Sequence, residues 1–276
     1  MPKNRFILRR PFPYTYRRYA LLLLLINFCV YGIRFVYPNL AEYVHYYGAM
    51  NPILVEQYHM YWQFLTYMFV HQNMQHVFFN MLALLVFGLG FEKAVGSREF
   101  LFFYLLCGAL SGFFSFLVYR FTGQTRVFLL GASGAVYAVL FAYAVFFPRS
   151  VILIWGLIPV PAPILVFIYA LIELGSQFFG NGSNVAHMTH LFGFFAAWLY
   201  FIIRMGIHPV KIWKDKHVAL MASRGRATSI STFSGGGHCL WLRHLFLQQT
   251  EINGWAINIY HPKQELVNLL VGGVVF

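Results

Sequence analysis

A serine and two histidines in this chain are of the residue types that carry out nucleophilic catalysis. Ser133 lies in the sequence Gly131-Ala-Ser-Gly134, and His187 and His190 lie three residues apart on a later apolar stretch. A serine hydroxyl is a weak nucleophile until an adjacent base accepts its proton, and histidine is the base most often used for this. Spacing alone allows either histidine to act as that base.

A structural role for the same residues is also open. A glycine-flanked serine is a weak motif, and small residues spaced by three or four along a helix commonly serve close helix packing. Two such faces are present, formed by Gly134, Ala138 and Ala142 and by His190, Gly193 and Ala197. If these two faces pack against each other, the imidazole of His190 comes within reach of Ser133.

Three further polar residues have a spacing that suits a supporting role. His76 and Asn80 are four residues apart and share one helix face, where both side chains can donate hydrogen bonds to the oxyanion of a tetrahedral intermediate. A polar contact between helices is an equally good interpretation of this pair. Tyr137, four residues after Ser133, lies on the same side of its helix and can support a histidine ring.

The composition places these residues in a membrane protein. Of 276 residues, 59% are hydrophobic and 10% are charged, against about 45–50% and about 25% in soluble proteins. Mean hydropathy is +0.62. A net charge of +12 would be compatible with binding to nucleic acid. In a membrane protein, however, basic residues are better interpreted as signals of topology. We therefore expect the lipid bilayer as partner and no nucleic acid. Three scattered cysteines make a disulfide scaffold improbable.

Six apolar stretches are candidates for the elements that position the polar residues, since a spanning helix needs roughly 20 apolar residues. They cover about 19–36, 77–95, 100–119, 133–147, 162–178 and 186–204. The fourth is short, and prolines between 159 and 163 make 151–161 a loop or interfacial segment before a helix that begins near Pro163.

We therefore predict an all-α polytopic membrane protein with a bundle of six transmembrane helices. The predicted membrane domain covers 19–205, between a basic segment at 1–18 and a tail at 206–276. The tail shows no clear helical or strand period, and its function and order are left open.

The distribution of basic residues predicts that both termini are cytoplasmic. Lysine and arginine cluster before the first span and after the second, fourth and sixth spans, whereas the segments 38–75 and 175–185 contain neither. Only Arg120 and Arg126 go against this trend. The second, fourth and sixth spans then all run inward from the outer face, so their first turns lie at a similar depth. The residues that converge there are His76, Asn80, Ser133, His187 and His190.

The acidic residues exclude other classes of intramembrane protease. Asp215 is the only aspartate and follows the last span, so a protease with two catalytic aspartates is excluded. The zinc motif H-E-x-x-H is absent. Glu173, near the outer end of the fifth span, is the only acid within a span that could orient a histidine. We interpret it as structural and predict a Ser–His dyad with no metal and no cofactor.

The constellation resembles the rhomboid family of intramembrane serine proteases over roughly 58–205. The matching elements are Trp62-Gln-Phe-Leu-Thr66 and His71 in the first outer loop, H-x-x-x-N at His76 and Asn80, the segment from Gly88 to Glu92, Gly131-Ala-Ser-Gly134 with Tyr137, and His190-x-x-Gly193. Some family members have Trp-Arg where this chain has Trp62-Gln63.

The resemblance implies a role for each site residue. Ser133 would be the nucleophile and His190, the histidine followed by x-x-Gly, the general base. His76, Asn80 and the Ser133 backbone N–H would form the oxyanion site, and Tyr137 would pack against the His190 ring. The supporting glycines of this pattern are Gly131, Gly134 and Gly193.

The implied activity is serine endopeptidase cleavage of single-span membrane-protein substrates near the outer leaflet, in a bacterial inner (cell) membrane. A non-catalytic rhomboid-like protein that binds membrane helices is the alternative. Catalytically dead relatives usually lack the serine or the histidine, and this chain keeps both. A transporter is disfavoured because the polar groups cluster at one depth and form no path across the membrane.

Overall fold

The structure is a computed structural model that describes residues 11–154, 156–179 and 184–214, together with the backbone of two strands at 249–252 and 255–258. The described residues are mainly helical. Of the predicted tail, only 206–214 and the two strands fall within this description.

All six apolar stretches of the sequence are helical to within a few residues, and four short helices, α2, α3, α4 and α11, lie outside them. They are α1 (Tyr19–Val36), α2 (Pro38–Gly48), α3 (Pro52–Gln57), α4 (Gln63–Thr66), α5 (Met74–Ala83), α6 (Leu89–Val95), α7 (Ser97–Phe121), α8 (Ser133–Phe146), α9 (Ala162–Phe179), α10 (Asn184–Tyr200) and α11 (Pro209–Lys214). A 3₁₀ turn at Tyr67–Phe69 follows α4, and π-helical turns at Leu84–Gly88 and Phe201–Met205 join α5 to α6 and extend α10.

Four helical stretches among the described residues are long and apolar enough to cross a membrane. These are Tyr19–Val36, Met74–Val95, Ser97–Phe121 and His187–Met205, whereas Ser133–Phe146 and Ala162–Gln177 are shorter. Large apolar side chains on α1 and α9 are exposed, among them Leu25 and Phe167. An apolar exterior of this kind suits contact with lipid. Together with the sequence comparison given below, these helices identify a multi-pass integral membrane protein.

The short helix α8 lies at the centre of the helical bundle. All its residues except Ser133, Tyr137 and Phe146 are buried, and it packs against α7, α9 and α10. At 1.5 Å per residue its 14 residues extend about 21 Å, less than the roughly 30 Å of a bilayer core. Because protein surrounds α8 on these sides, it does not need to match the length of a lipid-exposed helix.

Gly193 lets α10 contact the backbone of α8, and Gly134 lets α8 approach Ser111 on α7. A Cβ atom added to Gly193 would lie 2.2 Å from the carbonyl oxygen of Gly134, and one added to Gly134 would lie 2.4 Å from Ser111 Oγ. Real Cβ atoms do not approach other atoms this closely. The small-residue faces of α8 and α10 therefore meet, which places the start of α8 beside His190.

Buried acids anchor the amino-terminal segment at the end of the bundle opposite to the start of α8. The Glu92 carboxylate accepts hydrogen bonds from the backbone N–H groups of Tyr19 and Ala20 at 2.6 and 2.9 Å, which caps α1. Glu99 pairs with Arg204, whose Nε and Nη2 donate at 2.7 and 2.9 Å. The residues before α1, the connection between α6 and α7, and the end of α10 thus meet on one side of the molecule.

The segment predicted as a loop or interfacial segment forms a β-hairpin instead. Strand β1 (Val151–Ile154) pairs antiparallel with β2 (Ile158–Pro161). Proline is tolerated here because each strand of a two-stranded sheet has a free edge. A second hairpin, β3 (Gln249–Ile252) and β4 (Trp255–Asn258), lies in the tail, where we predicted no strand period. The dipeptide Asn253-Gly254 between these strands is a strong hairpin signal in the sequence.

Candidate active site

The hydroxyl of Ser133 lies within hydrogen-bond distance of a histidine ring. Ser133 is the first residue of α8, and its Oγ is 2.8 Å from Nε2 of His190 on α10. The structure thus brings His190 to the serine, whereas the ring of His187, one turn earlier on α10, contacts a different group. This is the arrangement in which a base can take the serine proton.

Tyr137 holds the His190 ring from one side. The two rings are stacked, with centroids 4.3 Å apart and planes at 11°. Tyr137 and Ser133 are one helical turn apart on α8, so the same helix that carries the serine also carries the ring that supports the histidine. The stack leaves both edges of the imidazole available for hydrogen bonds.

Glu173 contacts the other edge of that imidazole, where we expected a purely structural residue. Its side chain is fully buried, and its Oε1 lies 2.8 Å from Nδ1 of His190. Its Oε2 lies 2.6 Å from Nδ1 of His187, and the Tyr137 hydroxyl donates to Oε1 at 2.5 Å. Sequence spacing indicated that Glu173 was the only acid available, but not how α9 is rotated relative to α10.

The same three residues have the composition of a metal site. The ligand atoms of Glu173, His187 and His190 lie within 4.8 Å of one another, the only such group found among the described residues. Two histidines and a glutamate are a ligand set that zinc uses in proteins. Each histidine Nδ1 already contacts the carboxylate, so a metal ion would have to replace both of these hydrogen bonds.

His76 packs against the backbone just before Ser133. Gly131 has a φ of +111°, which favours glycine. A Cβ atom on Gly131 would lie 2.5 Å from Cε1 of His76, so only glycine lets the ring approach this closely. Asn80 donates through Nδ2 to the carbonyl oxygen of His76 at 2.9 Å, within its own helix. The structure places the His76 ring against Gly131, two residues before the serine. The second N–H of the Asn80 amide remains for another acceptor.

His71 contacts the backbone on the other side of this turn. Its Nε2 accepts a hydrogen bond from the backbone N–H of Ala132 at 3.3 Å. Burial, with a smaller contribution from nearby His76, lowers the pKa of His71 to about 3. The ring is therefore neutral near pH 7, which it must be to accept through Nε2. Sequence reasoning placed His71 in the first outer loop and missed this contact with the α8 N-terminus.

Three hydroxyl groups fasten α10 to α7 next to His190. Ser111 Oγ donates to the carbonyl oxygen of Thr189 at 2.6 Å, and Ser115 Oγ lies 2.7 Å from Thr189 Oγ1. All three residues are buried. These contacts hold the residue that precedes His190. The available signal was the pair of serines four residues apart in an otherwise apolar helix, which is typical of polar contacts between membrane helices.

Residues 58–206 match the family model of the Rhomboid domain, which is more than half of the chain. The chain belongs to the rhomboid family. Every candidate site residue of this rhomboid, from His76 to Gly193, falls inside the matched range.

Animal proteins are among the relatives of this rhomboid. It is 30% identical over 139 residues to Rhomboid-related protein 1 of Caenorhabditis elegans, and the matched segment covers 48% of this chain and 36% of the relative. It is 32% identical over 145 residues to Rhomboid-related protein 2 of Mus musculus, covering 49% of this chain and 45% of the relative. The match thus spans less than half of each relative, and both names state a relationship and not an activity.

Proposed function

We propose that this rhomboid is an intramembrane serine endopeptidase in which Ser133 is the nucleophile and His190 the general base. The observation that carries the proposal is the 2.8 Å contact between Ser133 Oγ and His190 Nε2. This pairing of an alcohol with an imidazole is what acyl transfer by serine requires. The stacked Tyr137 ring supports the proposal because it restricts the imidazole to the orientation that reaches the serine.

In the proposed reaction, Ser133 Oγ attacks the scissile carbonyl carbon while its proton passes to Nε2 of His190. The tetrahedral intermediate collapses with breakage of the C–N bond, and the same proton passes from Nε2 to the leaving amine. Water then attacks the acyl-enzyme ester and gives a proton to Nε2. Collapse of the second intermediate returns this proton to Ser133 Oγ and releases the carboxyl product.

The oxyanion of each intermediate would be stabilised at the amino terminus of α8. Backbone N–H groups in the first turn of a helix have no partner within the helix, and they carry a partial positive charge. The Ser133 N–H belongs to this turn. His76, which packs on Gly131 beside it, and Asn80, one turn further along, are proposed as side-chain donors.

The proposed substrate is a single-span membrane protein. Its helix would have to unwind locally at the cleavage site, because an intact helix engages its carbonyl groups in hydrogen bonds. The resemblance to the family implies small residues at that site, which the glycines on both sides of Ser133 can accommodate. The proposed mechanism requires neither a metal nor a cofactor.

The proposed topology has six crossings, with both termini in the cytoplasm and the active site towards the outer leaflet. Glu99 contacts both the amino-terminal segment and Arg204. This supports a topology in which the start of α1 and the end of α10 lie on the same side of the membrane. Location in a bacterial inner membrane stays a prediction from the sequence, and fractionation of the source cells will test it.

Cleavage of a purified single-span substrate in liposomes tests the proposed activity. We expect Ser133→Ala and His190→Ala each to abolish cleavage and labelling by a serine-reactive fluorophosphonate. Ser150→Ala and His208→Ala are matched controls outside the site, because the Ser150 hydroxyl donates to the Phe147 carbonyl oxygen at the far end of α8 and His208 is exposed. Cleavage retained by Ser133→Ala would refute the proposal. Substrate capture without cleavage by the wild type would indicate the alternative, a non-catalytic binder of membrane helices.

A further inference from the structure

We propose that Glu173 is a positioning residue for His190, so that the catalytic group is a Ser133–His190–Glu173 triad and not a dyad. The inference rests on the proposed function, because an orienting acid matters only if His190 acts as a base. Its basis is the line of contacts from Ser133 Oγ through both nitrogens of His190 to Glu173 Oε1, each 2.8 Å long.

The contact with Glu173 selects the useful tautomer of His190. A carboxylate can only accept hydrogen bonds, so the Nδ1 atom that faces it must carry the proton. A neutral imidazole with its proton on Nδ1 has its lone pair on Nε2, which is the atom that faces Ser133. The opposite tautomer would present an N–H to the serine and could not accept its proton.

The same contact stabilises the charge that forms during the reaction. When Nε2 takes the serine proton, the ring becomes an imidazolium beside a side chain that is shielded from solvent. A fixed carboxylate at this position stabilises the imidazolium without taking a proton itself. No other acid contacts His190 among the described residues.

Other groups hold Glu173 in this position. The charged and titratable groups that face it are His187 and His190 from α10, Tyr137 from α8, and Tyr169 on α9 itself. The contact of His187 with Oε2 leaves Oε1 directed at His190 and Tyr137. The carboxylate therefore cannot turn away from His190 without losing a second hydrogen bond, and Tyr137 restrains the imidazole and the acid at once.

A purely structural role for Glu173 predicts different behaviour. If the carboxylate only ties α9 to α10, its loss should lower thermal stability and leave the chemical step intact in protein that remains folded. If it positions His190, its loss should lower kcat with KM unchanged, because the substrate does not contact a fully buried carboxylate.

Glu173→Gln separates these two roles, because it keeps the size of the side chain and removes its charge. We expect kcat to fall by about 10²-fold or more, since the equivalent change in a soluble serine-protease triad costs roughly 10⁴. KM should change little, and Glu173→Asp should recover part of the rate. Glu56→Gln is the matched control, because this exposed glutamate pairs with Arg120 outside the site.

Proton NMR of protein with ¹⁵N-labelled histidine provides a readout that does not depend on cleavage. We expect a low-field Nδ1–H resonance of His190 in Ser133→Ala that is lost in Glu173→Gln. An unchanged kcat in folded Glu173→Gln, or a His190 resonance that the substitution does not affect, would overturn the proposal. If the wild type neither cleaves nor is labelled, the proposed protease function fails, and this resonance still decides whether Glu173 sets the tautomer of His190.

Discussion

Ser133 and His190 differ from ordinary polar residues of a membrane helix in what surrounds them. Many serines and histidines in such helices only link one helix to another, as Ser111 and Ser115 do here with Thr189. His190 instead has a hydroxyl on one nitrogen, a carboxylate on the other and an aromatic ring on its face. These contacts restrain the orientation of the ring, as proton transfer in the proposed reaction requires.

The oxyanion assignment leads to a prediction at the same scale. We expect His76→Ala and Asn80→Ala to lower kcat by roughly 10²–10³ each, the effect of removing one oxyanion donor in a soluble serine protease. KM should change little, because the donors act mainly on the intermediate. Asn27→Ala is a matched control, since Asn27 makes the same bond to the carbonyl four residues earlier, at 2.8 Å, in α1. Equal losses of rate in Asn27→Ala and Asn80→Ala would contradict the assignment.

The close contact between α8 and α10 sets the distance between the serine and the histidine. Glycine at 193 lets the backbone of α10 touch that of α8 at Gly134, and each helix carries one member of the proposed catalytic pair. The pair would separate if either helix moved outward. The predicted catalytic geometry therefore depends on residues that have no functional group.

Substitution at Gly193 tests this dependence. Gly193→Ala places a methyl group 2.2 Å from a backbone oxygen of α8, which cannot rotate away as a side chain could. We expect the helices to separate, with a loss of about 1–3 kcal/mol in stability and a fall in cleavage rate. Thermal unfolding in detergent and the liposome assay measure the two effects. Gly175→Ala on α9 is the control because its added Cβ meets nothing within 4 Å, and comparable losses in both variants would contradict the argument.

At the scale of the whole molecule, the buried acids bring the amino-terminal segment and the end of α10 to the same side, as the proposed topology requires. The amino-terminal segment, the α6–α7 connection and Arg204 meet at one end, where Tyr14 donates to the Lys93 carbonyl oxygen and Phe12 lies against Arg204. The candidate active site lies towards the other end of α8. Positive residues near helix ends are typical of the cytoplasmic side.

Cysteine accessibility in oriented membranes tests this topology. In a variant without Cys29, Cys107 and Cys239, we expect Gln124→Cys to react with an impermeant maleimide from outside the cell and Lys211→Cys only from the cytoplasmic side. Both native side chains are exposed. Labelling of both positions from the same side would refute the predicted topology.

Several features could be predicted from the sequence because they depend on local composition. The observed starts and ends of α1, α8 and α9 lie within one or two residues of the predicted spans, since apolar runs and prolines set helix limits. The serine, the histidines and Asn80 were recognisable by type and spacing. The hairpins were missed because short strand pairings depend on turn residues and not on long apolar runs.

The amino-acid sequence by itself determined the membrane environment, the six apolar stretches and the residues capable of chemistry, because these follow from composition and from periodicity along one chain. Spacing left His187 and His190 open, and the resemblance implied His190. Only the tertiary structure shows the His190 ring in contact with Ser133, with Glu173 on the far side of that ring. The physical reason is that these contacts depend on how α8, α9 and α10 are rotated about their own axes. That rotation results from packing between helices, including the contact of Gly134 with Gly193.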